Sequence, residues 1–393
     1  KYYYPTQTLV TAPEIIFFWV ARMIMAGHEY MDQKPFEHVY FTGIVRDKQG
    51  RKMSKSLGNS PDLLALIDVY GADAVRFGIM ISSPAGNDIL FDESALEQGR
   101  NFNNKLWNVL KLIQGWEKRI DSNLDAQNEK FAMDWFENRL SQVQQEVDVL
   151  LNSFKLSEAL KTIYSLIWDD YCSWYLEWIK PGFEQPISKE VYDKTVHYLN
   201  EMMHMLHPFM PFITEEIYHL ISPKQDDLCN KIAAPVKQAN TDIVAGGELL
   251  KQVISALRDA RNKNQLKPKD TITLHIQTGN TATYKAIESI LCKQVNATSI
   301  AYTNSSIDNT IVVAVEKDKF FIETSIELDA TALKATLLAD LAYQKGFLES
   351  VTKKLSNERF VQNAKPEVVA LEQQKQADAI ARIATIEESL QSL

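Results

Sequence analysis

With 393 residues, 45% of them hydrophobic and 24% charged, the chain has the make-up of a globular protein of more than one domain, not of a fibrous or disordered one. The formal net charge of −9 argues against a protein that coats nucleic acid with its whole surface, although local basic stretches weigh more than the total. Cys172, Cys229 and Cys292 form no CxxC or Cys–His cluster and no apolar run reaches the ~18–20 residues that span a bilayer, so a disulfide framework, a zinc site and a membrane partner are not expected, and a reduced, cytoplasmic setting is.

The first residues, KYYYPTQTLV, lack the basic-then-apolar order of a signal peptide and open directly on strand-like residues, which suggests a start inside a domain. LVT (9–11) reads as a short strand. EIIFFWVARMIMAG (14–27) reads as an apolar helix closed by Gly27, and HVYFTGIV (38–45) as a second strand. A basic, hydroxyl-rich loop follows, RKMSKSLGNS (51–60), then a helix from about Pro61 to Tyr70. Strand, helix, strand, helix predicts a parallel α/β layer. In such sheets ligands bind beyond the carboxyl ends of the strands, where residues 46–60 sit.

From about 95 to 265 long amphipathic helices take over, among them residues 95–116, 133–154 and 155–180, and they predict a helix bundle. HPFMPFITEEIYHLI (207–221) reads as a turn into another helix, and 223–247, with Gly246-Gly247, as a loop. TITLHI and TIVVAV alternate as strands do, with YKAIESILCKQV as a helix between them, so 266–329 reads as a small α/β module. In 330–393, Leu337, Leu341, Leu348, Val351 and Leu355 follow a four-three spacing broken by Gln344. Ile383, Ile386, Leu390 and Leu393 form a second such stripe. Two antiparallel helices on one seam are expected.

The loop invites a chemical reading. Lys52, Ser54, Lys55 and Ser56 offer ammonium groups and hydroxyl donors suited to a polyphosphate whose charge grows as it leaves. Gly50 and Gly58 would let the loop bend. The alternative is a solvated surface loop.

KMSKS followed by LGN resembles the second signature of class I aminoacyl-tRNA synthetases, with GADAVRF (71–77) downstream. PTQTLVTAPEIIFFWVARMIMAG (5–27), VYFTGIVRDKQGRKMSKSLGNS (39–60), GRNFNNKLWN (99–108), HPFMPFITEEIY (207–218) and FLESVTKKLSNERFV (347–361) are similar to the valyl-tRNA synthetase family in particular. The resemblance runs over nearly the whole chain. It implies that ATP and valine give valyl-adenylate and pyrophosphate, and that the valyl group then passes to the terminal ribose of tRNA(Val). It assigns Lys55 to the triphosphate and its transition state with Lys52 as helper, both as catalytic residues. Val45 and Met53 would lie near the adenine and Gly43 would allow its approach, so Gly43, Val45, Lys52, Met53, Ser54, Lys55 and Ser56 make up the expected ATP site. The amino-acid pocket maps onto Ile15 and Trp19, one helical turn apart, with Glu14 where the family carries Asp; plain core residues are the alternative for Ile15 and Trp19. Mg2+ is implied on the ATP phosphates, with no carboxylate cage for it here and no metal ligands of the chain's own. The family's HIGH-type signature and its editing domain lie upstream; His28-Glu29-Tyr30 is not a HIGH sequence. The chain is therefore expected to be a C-terminal portion, catalytically incompetent alone.

RNA-facing residues are expected on three elements. KQVISALRDARNKNQLKPK (251–269) puts Arg258 and Arg261 three apart, with a solvated face as the alternative. By resemblance the bundle binds the anticodon, with Phe102, Asn103, Lys105 and Asn108 as candidates. Trp168, Trp174 and Trp178 are expected in the core. The terminal pair of helices resembles the family's tRNA-binding arm, with Lys345, Lys353, Lys354, Arg359 and Lys365; a self-association coiled coil competes with this. His197, His204 and His207 read as bundle histidines, not metal ligands. The expected fold is a multidomain α/β and all-α chain: a partial Rossmann-type nucleotide-binding domain (1–95), a helix-bundle anticodon-binding domain (96–265), a small α/β module (266–329) and an antiparallel coiled coil (330–393). A monomer is expected. The rivals are an isoleucyl- or leucyl-tRNA synthetase and a non-catalytic tRNA-binding protein. The FFWVARM run and the arm argue against the first pair, and the intact KMSKS loop against the second.

Overall fold

Two runs rich in β-branched and aromatic residues, Thr6–Thr11 (β1) and Phe36–Phe41 (β2), pair in parallel, with Thr6 opposite Phe36 and Thr11 opposite Phe41. The computed structural model describes residues 2–83, 86–221, 226–232, 235–324, 330–357, 360 and 366–391. They form two compact units, Lys1–Val244 and Ala245–Leu393.

Parallel strands need a crossover. Here a 3₁₀ turn, Pro13–Ile15, leads through a π-helical turn, Ile16–Val20, into α1, Ala21–Met31. The single helix expected over 14–27 is thus corrected at both ends. Gly27 does not close it: a Cβ there would lie 2.8 Å from the Tyr4 hydroxyl and 2.9 Å from Pro35 Cδ, so glycine serves close packing inside the helix. The helix stops at Asp32, which adopts the left-handed conformation with φ 55°. Short strands β3 (Val45–Arg46) and β4 (Ile89–Leu90) pair in parallel, and between them lie α2, Leu63–Tyr70, capped by Asp62, and α3, Ala72–Ile81.

Helices α4 (Glu93–Glu117) and α5 (Lys130–Asn152) bury their three-four stripes, Phe102, Leu106, Val109, Leu110 and Ile113 on the first and Trp135, Phe136, Leu140, Val143 and Val147 on the second. Two-residue strands β5 (Ile120–Asp121) and β6 (Ile187–Ser188) pair in parallel beside them. The helix expected over 155–180 is three pieces: α6 (Leu156–Ser165), a π-helical stretch (Leu166–Tyr175) and α7 (Leu176–Ile179). With α8 (Lys189–Leu206) it builds an aromatic core in which the Phe136 ring lies 5.1, 4.9 and 5.2 Å from those of Tyr171, Tyr175 and Tyr198. Each buried phenol finds a partner: Tyr171 donates to Thr195 O (2.9 Å), Tyr198 to Met133 O (3.0 Å), and Tyr175 meets Thr195 Oγ1 (3.0 Å).

One helix ties the N-terminal α/β layers to this bundle. Arg76 on α3 donates to Phe209 O and Pro208 O, both at 3.0 Å, and so holds the turn after α8. Asp73, one turn earlier, accepts from Ile213 N (2.7 Å) and Phe212 N (3.4 Å) at the start of α9, Pro211–Ile221. The GADAVRF and HPFMPF runs, far apart in sequence, thus meet at one corner.

Helix α10, Thr241–Lys263, runs through Gly246-Gly247, where a loop was expected. Burial of Leu250, Val253, Ile254 and Leu257 just beyond outweighs the ~1 kcal/mol that each glycine costs a helix. Next comes a four-stranded sheet in the order β8–β7–β10–β9, with β7 at Ile272–Gln277, β8 at Ala297–Tyr302, β9 at Ile311–Val315 and β10 at Asp318–Glu323. Helix α11, Thr281–Val295, links β7 to its parallel neighbour β8; the pairs to β10 are antiparallel. Two helices close the chain, α12 (Ala330–Leu355) and α13 (Pro366–Gln391). Lys345–Glu387 (2.7 Å), Gln376–Thr352 (2.9 Å) and Lys354–Glu372 (3.0 Å) fix them antiparallel. Val351 and Ile386 are buried in their seam, but so are Gln344 and Glu372: the expected break at Gln344 is a polar layer inside the contact.

Candidate functional site

Strands β1 and β2 end side by side, with Thr42 N donating to Thr11 O (2.9 Å). From β1 the chain turns and leaves Glu14 exposed; from β2 it passes through Gly43 into β3. A Cβ at residue 43 would lie 1.9 Å from Asn87 O, so the backbones entering β3 and β4 themselves require glycine there.

The loop after β3 is pinned at its base by one carboxylate. Asp47 Oδ1 accepts from Gln49 N (3.1 Å) and Arg51 N (2.8 Å), and Oδ2 from Arg51 Nε (2.8 Å) and Asn59 Nδ2 (2.9 Å). Asn59 also donates to Lys52 O (3.3 Å) and accepts from Ser54 N (2.9 Å), which closes the loop on itself. The bond from Asn59, with those from Arg51, holds the Asp47 carboxyl at about 2 against the opposing effect of desolvation. The neighbouring Asp88 carboxylate takes Arg46 Nε and the Ile44 N–H and is likewise lowered.

Within these pins residues 54–58 make a tight turn. Ser54 Oγ accepts from Leu57 N (3.2 Å) and meets Ser56 Oγ (2.8 Å), and Gly58 takes the left-handed conformation, φ 66°. Met53 N reaches Val45 O at 3.4 Å, which keeps the loop against β3. Lys55 is exposed on this turn and has no ion pair among the described residues. Lys52 Nζ donates to both oxygens of Glu14, at 3.1 and 3.2 Å, so the loop and the segment leaving β1 are in contact. Ile15 and Trp19 do not lie on one α-helix as expected: Ile15 ends the 3₁₀ turn and is half-buried, and Trp19 belongs to the π-helical turn and is 56% exposed, beside exposed Phe17 and Phe18.

The RNA-facing expectations divide sharply. Phe102 is 0% exposed, its ring 4.8 Å from that of Tyr164, and cannot stack on a base. Arg261 is 4% exposed and donates to Val295 O (2.6 Å), Lys267 O (2.6 Å) and Asp270 O (2.7 Å), which commits it to holding backbone. Both leave the RNA-facing set. Asn103 is half-buried, Asn108 is exposed, and the Lys105 ammonium stands 5.2 Å over the ring of half-buried Trp168. Arg258 is exposed and donates to Gln294 O and Oε1. On the terminal helices Lys353 is exposed, whereas Lys354 is paired with buried Glu372. Arg359 and Lys365 lie outside the described residues. Sequence reading missed Asp47 and Asn59. The signal was present as an Asp ahead of the Gly50 turn and an Asn after Gly58, both residue types that bond to nearby backbone.

Family patterns match three stretches of the chain: tRNA synthetases class I (I, L, M and V) over residues 1–92, the anticodon-binding domain of tRNA ligase over 134–276, and the valyl tRNA synthetase tRNA binding arm over 329–393. These segments, in this order on a mixed helical and sheet fold, are those of class I aminoacyl-tRNA synthetases. Across its whole length the chain is 47% identical to a valine--tRNA ligase of Phocaeicola vulgatus and 45% identical to one of Christiangramia forsetii, covering 45% of each relative. The chain belongs with the valyl-tRNA synthetases, as their C-terminal portion, and spans a little under half the length of these relatives. A leucyl-tRNA synthetase from Agrobacterium radiobacter, solved as a ternary complex with tRNA, aligns at a TM-score of 0.46 and 18% identity over 70% of this chain and 31% of that one. No helix among the described residues is long and apolar enough to cross a membrane.

Proposed function

We propose that this chain supplies, within a valine--tRNA ligase, the cationic loop that handles ATP phosphates and the surfaces that hold tRNA(Val). The observation that carries this reading is the loop itself: pinned at its base through Asp47 and Asn59, joined through Lys52 to Glu14 just after β1, and presenting an exposed Lys55 with no ion pair among the described residues. In activation a valine carboxylate oxygen attacks the α-phosphorus, the bond to the bridging oxygen breaks, and pyrophosphate leaves with the charge. A positioned ammonium lowers that barrier because it meets charge that exists mainly in the transition state. In transfer a ribose hydroxyl of the tRNA attacks the acyl carbon and AMP departs. Lys52, tied to Glu14, would set the distance between the loop and the strand ends. Ser54, Ser56, Met53, Val45 and Gly43 would shape the nucleotide site around it. Ile15 and Trp19 would wall the valine, with the exposed Phe17–Trp19 face covered by the rest of the catalytic domain. Magnesium would come with the ATP phosphates; Asp47 is already engaged by Asn59 and Arg51 and is not available to it.

The helices from α4 to α10 would form the anticodon-binding domain and α12–α13 a coiled-coil arm. Asn103, Lys105, Asn108, Arg258 and Lys353 would be the residues that face RNA. The test is Lys55→Ala in the complete ligase. Valine-dependent ATP–pyrophosphate exchange falls by orders of magnitude while tRNA(Val) binding survives; unchanged exchange would remove Lys55 from the mechanism.

A further inference from the structure

We infer that Glu215, His219 and Asp227 form a binding site for a divalent cation of the zinc class. Neither the cysteine spacing nor the trio His197, His204 and His207 points to a zinc site. The structure gathers a different set. Glu215 and His219 are four apart on α9 and so share one face, and Asp227 comes from the loop that returns across that face. His219 Nε2 lies 3.1 Å from Glu215 Oε1 and 3.2 Å from Asp227 Oδ1.

Those separations match what a metal needs. Tetrahedral zinc holds nitrogen and carboxylate oxygen at about 2.0–2.1 Å, which places neighbouring ligand atoms about 3.3 Å apart. One nitrogen and two carboxylate oxygens would take three positions and leave the fourth to water. Glu215 is also held in place by its neighbours. Glu215 Oε1 accepts from Leu228 N (2.7 Å), its Oε2 faces His207 Nε2 at 3.8 Å, and His207 Nδ1 is held by Thr214 Oγ1 at 2.8 Å. Two carboxylates converge on one ring nitrogen, a concentration of negative charge that a divalent cation would offset. The ion would clip the 226–231 loop to α9, next to the corner held by Asp73 and Arg76.

The test uses the full chain, stripped of metal and titrated with zinc chloride against a chromophoric chelator. One equivalent binds to the native chain and raises its unfolding temperature. His219→Ala weakens that binding by more than about tenfold, since even groups that only orient a ligand are worth that much. Asp227→Asn, a change on an exposed side chain, does the same without disturbing α9, and decides the matter should His219→Ala fail to fold. His275→Ala, in the other compact unit, leaves binding intact. No stoichiometric zinc, or zinc held equally by the His219 and Asp227 variants, overturns the assignment.

Discussion

Asp73 carries more of the architecture than its single carboxyl suggests, and Asp73→Ala measures it. The side chain is 4% exposed and accepts the backbone N–H groups of Phe212 and Ile213, the first turn of α9. Its removal strands those donors, at about 1–3 kcal/mol, in the manner of a lost helix cap, worth about 0.5–2 kcal/mol. The two descriptions overlap, so a loss of about 2 kcal/mol is expected. For a unit of this size about 1 kcal/mol moves Tm by roughly 2–4 °C, so the drop should be about 4–8 °C. All seven tryptophans, from Trp19 to Trp178, lie in the first compact unit, so tryptophan fluorescence follows that unit's melting alone. Asp73→Asn adds a signed test. Burial raises the Asp73 carboxyl above its ordinary value, and the two backbone donors offset this only in part. An acid raised by folding contributes stability that is present below its unfolded pKa and is lost as pH rises through the folded value. The native chain's advantage over Asp73→Asn should therefore shrink from pH 3 to pH 7. A melt of Asp73→Ala within about 1 °C of the native one, or an advantage over Asn that grows with pH, would refute the reasoning.

Three further outcomes follow from the same geometry. Asn59→Ala should let the Asp47 carboxyl rise from about 2 toward the usual carboxylate range, read by carbon NMR titration; because a lowered acid contributes stability above its unfolded pKa that is lost as pH falls through the folded value, the native loop should loosen near pH 2 and the variant at higher pH. Gly43→Ala drives a methyl into Asn87 O and should cost about 3 kcal/mol or prevent folding of the β3–β4 pair, seen in denaturant melts. Arg261→Lys should destabilise the second unit by about 1–3 kcal/mol without changing the salt slope of tRNA binding, whereas Arg258→Ala should lower that slope and leave stability nearly unchanged.

What the sequence made legible follows from which forces act locally. The bundle helices were readable because a three-four apolar stripe is a local signal, and Phe102 and Leu106 on α4 obey it. Phe102 was offered to RNA by resemblance, and the stripe it belongs to instead buries it against Tyr164, since one aromatic looks alike on either face until its neighbours are known. Arg261 failed for a related reason: its partners, Lys267, Asp270 and Val295, are carbonyls, and a carbonyl has no signature in sequence. The β8 and β10 strands escaped because polar residues interrupt their alternation, and pairing to β7 decides their state. In the candidate site the loop was visible by composition. Its anchoring was not, because Asp47 and Asn59 act through a contact twelve residues apart that only the folded loop creates.

That anchoring bears on how a loop can be both positioned and mobile. A transition state that gains charge on a leaving group is served by a cation fixed to within fractions of an ångström, yet substrate must enter and product leave. A wholly rigid loop serves the first need and a wholly solvated one the second. Here the division is spatial: Asp47 and Asn59 hold the two ends of the loop to each other, while the turn at Ser54–Gly58 is held mainly by short-range bonds among its own residues. The Lys52–Glu14 pair is exposed on both sides, and such pairs contribute about 0–1 kcal/mol, little enough for ligand phosphates to displace. Glu14→Gln in the complete ligase should therefore leave folding unaltered and change the KM for ATP more than kcat. A fall in thermal stability instead would mean that the pair holds the fold and not the loop.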